Sequence, residues 1–148
     1  MTRVEIVQAT WRDAWALAEL DRRCFRPADA FGWPTYLLVG VWPGGVRLKA
    51  VADGQLIGFV AAEPHRWRRR VTIATLGVDP AWRRRGIGER LMRECEGKFD
   101  RPRFRLQVRK SNSPAVRLYQ KLGYAIVDDL PHYYGDGEDG YLMEKARG

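Results

Sequence analysis

Arg83-Arg84-Arg85-Gly86-Ile87-Gly88 is the stretch on which the reading of this chain turns. A strand-like segment, Val71-Thr72-Ile73-Ala74-Thr75-Leu76-Gly77-Val78, comes shortly before it. A helix-like segment, Glu89-Arg90-Leu91-Met92-Arg93-Glu94-Cys95-Glu96, follows directly. A strand, a turn of arginine and glycine, and a helix N-terminus together make a trap for phosphate. The first amides of a helix lack internal partners and point outward at the positive end of its dipole. Gly86 and Gly88 have no Cβ, so a diphosphate can come close to the backbone, and three arginines add charge around it. The bland alternative is a left-handed turn with a solvated basic patch, and the hexapeptide alone does not separate the two. Two other phosphate signatures are excluded. The dinucleotide fingerprint needs a third glycine where Leu91 stands, and the Walker loop needs Gly-Lys-Ser/Thr.

Outward from this stretch, the chain alternates strand and helix patterns. Val4–Gln8 reads as an opening strand, and Thr10 caps a helix running to about Arg22. Trp11, Trp15, Ala18 and Arg22 share one face of that helix. Residues 25–40 are apolar and broken by Pro27, Gly32 and Pro34, which predicts a loop with a short helix near 35–39. Arg47–Ala52 and Leu56–Ala62 form a hairpin about Asp53-Gly54. Val71–Val78 is a strand, and Gly86–Phe99 a helix with Ile87, Leu91, Met92 and Cys95 as its apolar stripe. Arg103–Val108 is the next strand. Asn112 or Ser113 caps a helix with Pro114 in its first turn and Gly123 at its end. Tyr124–Leu130 and Gly140–Glu144 close the chain as strands. Alternation of this kind predicts an α/β fold in three layers, α/β/α.

The motifs beyond the turn make it specific. Leu76-Gly77-Val78-Asp79-Pro80 precedes Arg83-x-x-Gly86-x-Gly88. Then come Phe104-Arg-Leu-Gln-Val-Arg109, Ser111-Asn112-Ser-Pro-Ala115 and Leu118-Tyr119-Gln-Lys-Leu-Gly-Tyr124. Together they resemble the GNAT superfamily of acetyl-CoA-dependent N-acetyltransferases. The tail, Tyr133-Tyr134-Gly-Asp-Gly-Glu-Asp-Gly-Tyr-Leu-Met143, is similar to that of protein N-terminal acetyltransferases, including the ribosomal-protein alanine type. The likeness is close over residues 71–144 and loose before them. It implies one GNAT domain over residues 1–148, with a mixed central sheet of about seven strands. The fourth and fifth strands, Val71–Val78 and Arg103–Val108, splay apart where the pantetheine arm and the acceptor amine meet.

The resemblance also implies roles. Backbone from Arg83 through Arg84, Arg85, Gly86 and Ile87 to Gly88 holds acetyl-CoA. Amides of Leu76, Gly77 and Val78 bind pantetheine and the thioester carbonyl, and oxyanion donors of this kind are worth about 3–4 kcal/mol each. Asn112 hydrogen-bonds the cofactor arm, caps its helix, or both. Tyr119 protonates the leaving thiolate, the alternative being a core tyrosine. Tyr133 and Tyr134 bind the acceptor backbone, or merely cover the sheet. Across the gap, in a segment that matches no family motif closely, Phe31, Gly32, Trp33 and Tyr36 would form the other wall. Attack is direct, in a ternary complex without an acyl-enzyme.

The chain departs from its relatives at the base. Where they carry glutamate or histidine, it has Gln107, which cannot accept a proton. Thr72 stands where some have a catalytic tyrosine. A peptide α-amine of pKa ~7.7–8.0 is already roughly a tenth neutral at pH 7, so a water held by Gln107 suffices; a lysine near 10.4 is neutral only about 0.04% of the time. The missing carboxylate therefore favours an α-amine acceptor. Otherwise Glu63 or His65, placed just past the preceding strand, serves as base.

Composition bounds the rest. With 148 residues, 45% hydrophobic and 30% charged, the chain suits one soluble domain. It has no apolar run of membrane-spanning length and no basic-then-apolar leader pattern, so the cytoplasm is the expected location and no membrane partner is expected. The net charge of +8 points to polyanions, of which coenzyme A and nucleic acid are candidates. The intact phosphate turn and Tyr119 disfavour nucleic acid and a non-catalytic RNA- or ribosome-binding module. Cys24 and Cys95 read as structural, and His65 and His132 are too dispersed for zinc, so no metal is expected. A small-molecule acceptor (polyamine, aminoglycoside or amino acid) stays open, because Asp21, Asp29, Asp128 and Asp129 could line an acidic pocket. The expected state is monomer or homodimer.

Overall fold

The computed structural model describes residues 3–25 and 44–147. Seven strands form one mixed sheet in the order β1-β2-β3-β4-β5-β7-β6. They are β1 (Val4–Gln8), β2 (Val46–Ala52), β3 (Gln55–Pro64), β4 (Arg70–Val78), β5 (Arg103–Arg109), β6 (Ala125–Leu130) and β7 (Gly140–Ala146). The helices among the described residues are α1 (Ala14–Cys24), α2 (Ile87–Gly97) and α3 (Ser113–Lys121). None is long and apolar enough to cross a membrane. The chain packs as two compact units, Met1–Glu63 with Ala74–Phe99, and Pro64–Ile73 with Asp100–Gly148.

In the first unit β1 and β3 flank β2, both antiparallel to it. Asp53 and Gly54 turn the hairpin with φ of 52° and 74°, the pair of positive values that matches strand twist. The register slips between Ala50 and Val51, leaving Ile57 as an extra residue on β3. The carbonyl of Ile57 accepts from the Asp79 amide at 2.7 Å, just past the end of β4. The helix expected from Thr10 begins as a 3-10 turn, Trp11–Asp13, and becomes α1 at Ala14, ending at Cys24 rather than Arg22. Its buried face is Ala14, Leu17, Ala18, Leu20 and Asp21, whereas Trp11 and Trp15 are mostly exposed. The tryptophans therefore lie off the core stripe. α2 buries Ile87, Leu91, Met92 and Cys95, as its periodicity predicts. It packs tightly because Gly58 is bare: a Cβ there would lie 3.2 Å from both Leu91 Cδ1 and the Gly77 carbonyl oxygen.

In the second unit β5 carries β7 antiparallel along its full length, and β6 pairs with β7 on the outside. The parallel ladder of β4 on β5 holds three pairs, Arg70↔Arg103, Val71↔Phe104 and Thr72↔Arg105. Beyond Thr72 and Arg105 the two strands no longer pair, which is the splay expected from the sequence. Asn112 is the cap of α3: its Oδ1 accepts from the Ala115 amide at 3.3 Å. Gly123, at φ 101°, follows the helix end. Glu63 lies within β3 rather than past a strand end, and the helix expected near 35–39 falls outside the described residues.

Candidate active site

Of the donor-binding candidates, residues 76–78 and 83–88 lie in the first unit, and Asn112 and Tyr119 in the second. Asp79 shapes the exit from β4: its Oδ1 accepts from the Ala81 amide at 2.9 Å and its Oδ2 from Arg23 Nε at 3.2 Å. The 3-10 turn Pro80–Trp82 follows, and Arg83 folds back. Arg83 Nε donates to the Val78 carbonyl at 3.2 Å, and Nη2 to the Cys24 carbonyl at 3.5 Å. One of the three arginines is thus committed to tying the turn to β4 and α1, although its side chain is exposed. Arg85 stacks on Trp82 at 4.7 Å. Arg84 takes φ 64° and Gly86 φ 77°. Gly86 is the N-cap of α2, and a Cβ built on it meets no atom within 4 Å. The protein leaves open space on that side, at the amide-bearing end of an 11-residue helix. Those amides and the exposed Arg84 and Arg85 suit a diphosphate.

Gly77 is buried and bare for a packing reason as well. A Cβ there would lie 3.0 Å from Phe59 Cε1 and 3.3 Å from Cys24 Sγ. Burial pushes the Cys24 thiol up to about 11 and the Cys95 thiol up to about 12, so neither offers a ready thiolate. Glu63 sits in the field of Arg47. His65, in the second unit, accepts the amides of Trp67 and Arg68 on Nδ1, both at 3.1 Å. That nitrogen shapes the hairpin turn and is not available as a base.

The second unit gathers the tyrosines among the described residues. Tyr119 is buried in α3, its ring edge-on to Tyr124 at 6.0 Å. Burial, with a smaller contribution from the nearby Tyr134 phenol, pushes its own phenol well above the usual tyrosine value. Tyr133 is half exposed and meets Tyr134 edge-on at 5.1 Å. Gln107 is half-buried on β5, opposite Leu142 of β7. Asn112 is exposed at the head of α3.

Sequence reasoning passed over Arg109. It is buried at the end of β5, and its Nη1 donates to Asp136 Oδ1 at 3.0 Å, Asp136 Oδ2 at 2.9 Å and Glu138 Oε1 at 2.9 Å. Its guanidinium carbon lies 4.2 Å from the centre of the Tyr134 ring. The available signal was the pair of acids at two-residue spacing around Gly137, downstream of a strand ending in arginine. Of the acids that could line an acidic acceptor pocket, the structure describes Asp21, Asp128 and Asp129. Asp21 is fully buried in the core face of α1, and Asp129 on exposed β6 pairs with Lys110 at 3.0 Å. Phe31, Gly32, Trp33, Tyr36 and Asp29 lie outside the described residues. No cluster of three or more metal-binding side chains occurs among the described residues.

The catalytic subunit of the N-terminal acetyltransferase B complex of Arabidopsis thaliana is 37% identical over 118 residues, 77% of this chain and 64% of that one. An N-alpha-acetyltransferase of Sulfurisphaera tokodaii is 35% identical over 109 residues, 64% of this chain and 65% of that one. The matched regions thus span about two thirds of both relatives, 64% and 65% of their lengths. Among solved structures, Arabidopsis thaliana NAA60 in complex with a bisubstrate analogue superposes with a TM-score of 0.86 at 25% identity, covering 99% of this chain and 100% of that one. Residues 8–124 match the Acetyltransferase (GNAT) family, and with the splayed β4–β5 pair and the Gly86 turn in place, the chain belongs to that family.

Proposed function

We propose that this protein is a cytoplasmic acetyltransferase that uses acetyl-CoA to acetylate a primary amine, with the α-amine of a protein or peptide N-terminus as the favoured acceptor. The observation that carries the donor half is Gly86: positive φ, open space where a Cβ would be, and the N-terminal end of α2 directly after it. Bound there, acetyl-CoA supplies a thioester-activated acetyl group. Backbone from Arg83 to Gly88 holds its diphosphate, amides of Leu76, Gly77 and Val78 receive the arm, and Asn112 offers a further hydrogen bond. Two N-terminal α-amine acetyltransferases among the relatives support the acceptor assignment.

The residues suit an acceptor that loses its proton easily. Gln107 orients water but takes no proton, and Glu63 lies beside the Arg47 cation. Tyr119, raised by burial, is still protonated near pH 8, where an α-amine becomes neutral. An ordinary phenol near about 10 already titrates above a thiol near about 8.5, and the rise puts full transfer to a thiolate further uphill, so Tyr119 serves mainly as a hydrogen-bond donor to the departing sulfur. Tyr133 and Tyr134 present the acceptor backbone.

The test is an acetylation screen of short peptides varied at their first two residues, run beside polyamines and free amino acids. Peptides should be acetylated on the α-amine and outpace the small molecules. Turnover of polyamines or amino acids alone would move the acceptor to a small molecule. Absence of acetyl-CoA binding would leave a non-catalytic basic module.

A further inference from the structure

We infer that Arg109 is a positioning residue that holds the acceptor-facing tyrosines in place; the inference rests on the acceptor reading above. Segment 131–139 joins β6 to β7 and contains two glycines, so its conformation needs support from outside its own backbone. Arg109 supplies it from the end of β5, where Arg109 pairs with Gly140 in the ladder. One nitrogen of this buried side chain, Nη1, donates to both oxygens of Asp136 and to one of Glu138. The same guanidinium lies against the Tyr134 ring at 4.2 Å. A single cation therefore gathers two of the segment's carboxylates, Asp136 and Glu138, and its central aromatic.

The segment closes on itself around that cation. The Tyr134 amide donates to the Glu138 carbonyl at 3.2 Å, the Gly137 amide to the Tyr134 carbonyl at 2.8 Å, and the Glu138 amide to Asp136 Oδ1 at 3.1 Å. Gly140 leaves room for the ring, since a Cβ there would lie 3.1 Å from Tyr134 Cε2. Tyr134 in turn is close enough to Tyr119 to influence its ionisation. Arg109 thus fixes Tyr134 both toward an acceptor and beside the buried phenol. Removing its charge strands Asp136 and Glu138 next to each other, and the loop opens to hydrate them.

The experiment compares full-length wild type with Arg109→Gln by hydrogen exchange and steady-state kinetics. Backbone amides of Tyr134, Gly137 and Glu138 should exchange about tenfold faster or more, while those of β2 and α2 keep their protection. The Michaelis constant for an acetylated peptide should rise about tenfold or more with a smaller fall in kcat, and the acetyl-CoA dissociation constant should stay within about twofold. Asp136→Asn, which leaves the Glu138 contact in place, should move the same quantities in the same direction by less and serves if Arg109→Gln fails to fold. Unchanged exchange in the loop overturns the inference. So does a peptide Michaelis constant that rises only in step with the acetyl-CoA constant, which signals general loosening. If wild type acetylates no peptide yet the variant's loop exchanges faster, the acceptor assignment falls and the clamp stands.

Discussion

Gly86 separates the cost of a side chain to the fold from its cost to a ligand. A Cβ meets nothing of the protein within 4 Å, so the only structural penalty is the positive φ of 77°, about 1–2 kcal/mol for a non-glycine residue. Gly86→Glu should therefore stay folded, yet lose acetyl-CoA binding, because the carboxylate occupies the space a diphosphate needs and repels it. Calorimetric titration of both proteins checks this, and equal affinities would remove the turn from the donor site. Gln107 and Tyr119 make a second case. With no side-chain base, kcat/KM for a peptide should rise with pH along the acceptor's own ionisation, near about 7.7–8.0. Glu63→Gln should cost little, and Gln107→Glu should remain active. Tyr119→Phe removes one hydrogen-bond donor to the departing sulfur and should lower turnover by about 10²–10³-fold with acetyl-CoA affinity kept. A loss above about 10²-fold in folded Glu63→Gln that still binds acetyl-CoA would make Glu63 the base. Gly86, Tyr119 and Gln107 were named as candidates from sequence because a local motif carries each of them. Arg109 was not, because its partners lie 27 and 29 positions away and only the fold brings them together.

Among elements, the strands and helices reappear within a few residues of their sequence expectations because the signals that set them are local. The Asp53-Gly54 turn fixes the β2–β3 register, Asn112 starts α3, and Gly123 ends it. The start of α1 was less legible. Asp13, three residues after Thr10, accepts the Thr10 amide at 2.8 Å and also takes Lys49 Nζ at 2.8 Å from β2, so a tertiary ion pair helps shape the first turn. Glycine pattern hid a packing rule too. Gly58 reads as a weak spot in a strand, but it is where β3 meets Leu91 of α2 and the backbone of β4. Gly58→Ala should destabilise the protein by about 1–3 kcal/mol, since two neighbours already stand at the contact limit and one of them is backbone. Urea denaturation with an unchanged slope would confirm the size, and a stabilised variant would show that α2 shifts freely.

Over the molecule as a whole, the excess of basic groups and the buried acids pull in different directions as pH rises. The charge of +8 should draw a polyanionic donor at low salt and fade with screening. Stability follows the buried groups. Burial is the largest cause of three upward shifts: Cys24 from 9.0 to about 11, Cys95 from 9.0 to about 12, and Tyr119 from 10.0 upward. Lys110, held up chiefly by its hydrogen bond to Asp129, is shifted the same way. Unfolded, each group titrates at its ordinary value, so above that value the folded chain holds a proton the unfolded chain has released. The unfolded state then binds fewer protons, and stability falls with pH. The loss should begin near pH 9 with the thiols, grow past pH 10 as Tyr119 joins, and level for each group once its folded value is passed, near 11 for Cys24 and 12 for Cys95. Scanning calorimetry between pH 7.5 and 11 should show a falling Tm that starts late. Because lysines also titrate in that range, the deciding comparison is with Cys24→Ala and Tyr119→Phe. Each should start less stable at neutral pH and lose less on the way up. A wild-type Tm that is flat to pH 11, or variants that fall in parallel with it, would mean these groups ionise in the folded protein as freely as in water.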